Sequence, residues 1–111
     1  MTAKDSDAMA TIETMVQRIA DGFDPEKIII FGSYARGEID RDSDLDLLIV
    51  MHVEGSLRQK ANEIDLMLAD RTLPLDLIVV TPEQFARQKD VIGTIVREAV
   101  KDGKVVYERA A

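Results

Sequence analysis

Residues 31–50 read FGSYARGEIDRDSDLDLLIV. The end of the stretch, DLDLLIV, carries the Leu, Ile and Val of a buried strand, yet Asp44 and Asp46 interrupt it two residues apart, where burying a carboxylate is costly. Strand side chains alternate between faces, so both aspartates are expected on one side, about 6.6–6.8 Å apart, with Leu45, Leu47 and Ile49 on the other. Like charges this close raise each other's pKa unless a cation neutralises them. Hard oxygen donors select Mg²⁺ or Mn²⁺, and Mg²⁺ is commonly held by one or two carboxylates together with substrate phosphates.

Working outward, KIIIF at Lys27–Phe31 is a short, wholly apolar run suited to an interior strand, ending at Gly32. SYARG then reads as one helical turn closed by Gly37, EIDRDS as a polar loop, and the second strand as Asp44 to Met51. Upstream, Met9, Ile12, Met15, Val16, Ile19 and Phe23 recur at helical spacing, with Gly22 as a stop. Downstream, Leu57, Ala61, Ile64 and Leu68 mark a second long helix within 55–70, and Pro74 opens a third strand over Leu75 to Val80. Thr81, Pro82 and Gln84 form a helix start. A last helix is expected from Val91 to Lys101 with Val91, Ile92, Ile95, Val96, Ala99 and Val100 inward, Gly103 past its end, and KVVYE as a final short strand. The alternation predicts an α/β domain whose small sheet is covered by helices.

With 111 residues and 46% hydrophobic content, the chain suits one packed domain, 1–111, with residues 1–7 as a frayed tail. It contains no Cys, which removes disulfides, thiolate metal sites and thiol nucleophiles. No apolar run approaches the ~20 residues of a membrane span and no signal peptide is visible, so the expectation is a cytoplasmic protein with no membrane association. Acidic residues outnumber basic ones, 21 to 14, for a formal charge of -7, which argues against direct nucleic-acid binding.

Asp76 interrupts PLDLIVV as Asp46 interrupts its own strand. If the two strands are neighbours, three carboxylates converge. Such a set suits two metal ions, one on the phosphates and one lowering the pKa of an attacking hydroxyl that Asp76 could deprotonate. Gly32 and Ser33 follow a strand and open a helical turn, where backbone N–H groups favour a phosphate and the Ser33 hydroxyl adds a donor. Together these point to a triphosphate site and to in-line transfer of a nucleotidyl group, with pyrophosphate leaving.

Gly32-Ser33, ten intervening residues and then Asp44-x-Asp46 resemble the signature of the DNA polymerase beta-like nucleotidyltransferase superfamily. With PLDLIVVTPEQF and IGTIVREAVKDGKVVYER, the chain is most similar to the minimal nucleotidyltransferases, the MNT-domain antitoxins, from about Met9 to Glu108. The resemblance implies a mixed sheet flanked by helices in a polymerase beta palm-like fold, Asp44 and Asp46 as Mg²⁺ ligands, Asp76 as the third acidic residue, and Gly32 and Ser33 as contacts to ATP. It further implies an acceptor presented in trans, since nothing after Ala111 can hold one. That partner would be a HEPN-domain RNase toxin, neutralised when AMP is transferred from ATP to a tyrosine beside its RNase site, where added phosphate charge would repel RNA.

Other readings compete. Asp44 and Asp46 can be an N-cap and a solvent-facing edge residue, Asp76 a surface residue of an edge strand, and Gly32 only a turn. Arg36 and Arg41 lie near the loop and could contact the triphosphate but read better as solvated, His52 as a surface residue, and Tyr34 and the methionines as packing. At the level of function, a non-catalytic antitoxin that covers its toxin, or a nucleotidyltransferase acting on a small molecule such as an aminoglycoside, stand beside the protein adenylyltransferase.

Overall fold

A computed structural model describes residues 3–39 and 43–110. The chain order is α1 (Ala3–Phe23), β1 (Lys27–Phe31), α2 (Ser33–Arg36), β2 (Leu45–Val50), α3 (Leu57–Met67), β3 (Leu75–Val80), α4 (Pro82–Gln88), α5 (Ile95–Asp102) and β4 (Lys104–Glu108). The four strands form one mixed sheet in the order β3-β2-β1-β4. β1 runs antiparallel to β2 and β4, whereas β2 and β3 are parallel. A parallel pair needs a crossover, and α3 supplies it.

The two faces of this sheet are unequal. Alternation sends Ile28, Ile30, Leu45, Leu47, Ile49 and Val79 to one face, where Ile12, Met15, Val16 and Ile19 of α1 and Ile64 and Leu68 of the α3 segment close the larger core. Ile29, Phe31, Leu48, Val50 and Val80 point the other way, against Val96 and Ala99 of α5 and the half-buried Phe85 of α4. At the close approach of α5 to β1 stands Gly103, where a Cβ would collide with the backbone oxygens of Ala99 and Ile30. Arg18 ties α1 to the end of α3, donating to the Met67 carbonyl at 2.6 Å and pairing with Asp70 at 3.0 Å.

Most expected elements stand where the patterns put them. The Thr81 hydroxyl accepts the Gln84 N–H at 3.1 Å with Pro82 in the first turn, as the helix-start signal requires. Four readings change, beginning with Gly22, expected to stop the first helix, through which α1 continues to Phe23. α1 begins at Ala3, so residues 3–7 of the expected tail are helical; no Gly or Pro interrupts the sequence before Gly22. β2 begins at Leu45, which leaves Asp44 just outside the strand. The last helix starts at Ile95, because Gly93 takes φ 96° and Thr94 caps the helix by accepting the Arg97 N–H. Val91 and Ile92 therefore lie ahead of it at 48% and 89% exposure, and Ile95 and Val100 also face solvent; only Val96 and Ala99 are buried as expected. Among the described residues no helix is long and apolar enough to cross a membrane.

Candidate active site

The site forms where the α5-side face of the sheet runs past its cover. Asp46, Leu48 and Val50 share that face of β2, and Asp76, Ile78 and Val80 stand beside them on β3, in parallel register. The leucine, isoleucine and valines pack beneath α4 and α5. The aspartates occupy the uncovered end, so Asp46 is half-buried and Asp76 exposed. The condition set by the sequence, that the two strands be neighbours, is met with Asp46 directly opposite Asp76, about 4.8 Å apart along the hydrogen-bonding direction.

On the other side of β2, Asp46 pairs with Phe31, the last residue of β1. This sets the turn after β1 against the carboxylate. Gly32 has φ 73° and ψ −153°, a backbone region that disfavours side chains, and a Cβ there would run into the Asp46 carboxylate. Ser33 opens α2, which is one turn long, with the Arg36 N–H donating to the Gly32 carbonyl at 3.2 Å. The half-buried Ser33 hydroxyl has no hydrogen-bond partner among the described residues. Gly37 ends the turn in the left-handed conformation.

Burial, then the negative charges of Asp76 and Asp44, raise the Asp46 carboxyl above its ordinary value, and the Arg36 guanidinium pulls it partly back. Asp44 is thus drawn into the group although it is exposed and precedes the strand. Among the described residues no three His, Cys, Asp or Glu side chains close into a ready-made metal-binding set. The aspartates stand as mutually repelling neighbours, and their donor chemistry, all carboxylate oxygen, fits a hard divalent cation that would offset that repulsion.

Arg36, for which the sequence favours a solvated arginine over a contact to the triphosphate, acts on the site. It is exposed and pairs with Glu38 at 3.1 Å, as a solvated arginine does, but it is also the cation acting on Asp46. Its place in the turn directly after Gly32-Ser33 was the available signal. Residues 40–42, with Arg41 and part of the expected polar loop, lie outside the described residues. His52 is exposed, and Tyr34 packs beside the larger core.

Comparisons with known proteins bear on the family and the fold. The nucleotidyltransferase domain family matches residues 11–105. A Methanocaldococcus jannaschii protein provisionally named a protein adenylyltransferase is 35% identical over 85 residues, covering 74% of this chain and 78% of that protein. A second protein of the same organism, named in the same way, is 42% identical over 55 residues, 49% of this chain and 54% of its own length. Among solved structures, a Sulfolobus solfataricus protein provisionally described as a nucleotidyltransferase has a TM-score of 0.66 at 23% identity, over 95% of this chain and 84% of its own. A chain of a toxin-antitoxin structure determined with AMP-PNP has a TM-score of 0.57 at 20% identity, over 87% and 73%. These two likenesses are of fold, an α/β nucleotidyltransferase architecture; the sequence matches carry the kinship further. The chain belongs to the nucleotidyltransferase domain family, of the minimal nucleotidyltransferase type.

Proposed function

We propose that this transferase moves AMP from ATP to a tyrosine hydroxyl of a HEPN-domain RNase toxin and so acts as a cytoplasmic antitoxin. The observation that carries the reading is the Asp46–Asp76 register beside the Gly32-Ser33 turn. In this reading the aspartates would be the metal donors and the turn beside them would take the phosphates. The resemblance to MNT-domain antitoxins and the name borne by the Methanocaldococcus jannaschii relatives support protein as the acceptor class.

Asp44, Asp46 and Asp76 would hold Mg²⁺, as two ions. When bound, the ion supplies charge neutralisation of the triphosphate and activation of the attacking oxygen. The chain's own groups do the rest. Ser33 donates its hydroxyl to a phosphate oxygen, and the side-chain-free Gly32 lets the phosphates approach the backbone. Arg36 lies where it can meet phosphate charge. As the tyrosine oxygen attacks the α-phosphorus, the new O–P bond forms, the bond to the β-phosphate oxygen breaks, and pyrophosphate leaves. The tyrosine proton passes to the exposed Asp76 carboxylate.

The test is transfer of label from α-labelled ATP to a purified HEPN-domain RNase offered as acceptor, with Mg²⁺, read by autoradiography and intact mass. Mass increments of AMP on the toxin, lost in Asp46→Asn, are the expected result. Protection of RNA from the toxin with no mass change would replace this reading by neutralisation through binding alone.

A further inference from the structure

We infer that the β4 edge is a self-association surface, through which two copies of this chain join their sheets by antiparallel β4–β4 pairing. β4 ends the sheet, with its second edge unpaired among the described residues, and such an edge is a template for another strand. Val106 is the extra residue of a bulge against β1, between the pairs Ile28↔Tyr107 and Ile29↔Val105. A bulge ordinarily discourages pairing. Here, however, the middle of the edge shows Val105 at 53% and Val106 at 38% exposure, with charge only at its two ends, Lys104 and Glu108. Beside it lies an open groove of about 380 Å³ lined by Met9, Ile12 and Val16 of α1 together with Val106 and Tyr107, with the polar Glu13 and Gln17 also on its wall. Met9 is 45% exposed at its rim.

The charges of the strand select a second copy as the occupant. Antiparallel pairing centred on Val106 sets Lys104 opposite Glu108 of the second copy and Glu108 opposite its Lys104, so both ends of the ladder are complementary. Glu108 already pairs with Lys27 at 3.3 Å, while Lys104 has no ion partner among the described residues. The second copy would supply one. Residues 101–109 carry Lys101, Lys104 and Arg109 against Asp102 and Glu108, so this edge escapes the acidic excess that opposes self-association over a chain of charge -7. The active-site carboxylates lie across the sheet on β2 and β3 and stay open in the dimer. A five-residue strand with its flanks is a small interface, which places the dimer in the weak, transient class.

Analytical ultracentrifugation of the full chain from 5 to 500 µM tests this. The expected result is a concentration-dependent dimer, weakened at least tenfold in Lys104→Glu and in Glu108→Lys, each of which places like charges across the axis. An equimolar mixture of the two variants restores complementary pairs and is expected to dimerise like the wild type, which misfolding of either variant cannot imitate. A wild type that stays monomeric at 500 µM, or variants that neither weaken alone nor recover on mixing, overturns the proposal.

Discussion

Asp46 is where the site and the stability of the protein oppose each other. Its carboxyl is raised in the fold by burial, then by Asp76 and Asp44, so between its unfolded value and the raised folded one the native state binds more protons than the unfolded chain. Stability of the metal-free protein therefore falls as pH rises through that window and stays reduced above it. Asp46→Asn removes the penalty. In EDTA at pH 7 the variant should be more stable than wild type by about 1 kcal/mol or less after solvent screening, and the difference should vanish below pH 4, as urea denaturation at the two pH values will show. Nucleotidyl transfer by the same variant should fall by about 10²-fold or more. Gly32→Ala is expected to cost about 2 kcal/mol, because its φ of 73° and the adjoining carboxylate leave no place for a methyl group; guanidinium melts measure it.

At the scale of elements, the reinterpreted C-terminal helix makes the sharpest test. If Thr94 caps it and only Val96 and Ala99 face the sheet, Thr94→Ala should cost about 1 kcal/mol, Val96→Ala about 2 kcal/mol, and Ile92→Ser within roughly ±0.5 kcal/mol. Thermal denaturation of the three variants distinguishes this from a helix starting at Val91. Strands and caps were legible in sequence where the deciding signal was local. Thr81, Pro82 and Gln84 state a helix start in four positions, and Leu75–Val80 is bounded by Pro74. The last helix was misread because Val91 and Ile92 extend an apolar rhythm across Gly93, and whether such residues are covered depends on how far the sheet extends beneath them, which is not a local property. The candidate site divides likewise. Asp44 and Asp46 were visible from their spacing within an apolar run, but the facing of Asp46 and Asp76 follows from strand register, and the reach of Arg36 toward Asp46 from how α2 turns back after Gly32.

The whole molecule balances an acidic site against an acidic surface, and a cation should register globally. With Mg²⁺ at about ten times its dissociation constant, linkage adds roughly 1.4 kcal/mol, a rise of roughly 5–10 °C in Tm for a domain of this size. The rise should be absent in Asp46→Asn, and differential scanning fluorimetry with Na⁺ at matched ionic strength separates binding from screening. The order β3-β2-β1-β4 has a kinetic consequence. Phe31 and Asp46 are brought together by a short connection, whereas Asp46 meets Asp76 only after the whole of α3 has crossed over. The closure with the greater entropic demand is thus also the one that forces like charges together. Folding would then assemble the glycine turn and Asp46 first and dock β3 last, and a divalent cation that offset the charge of the aspartates would hasten that final step.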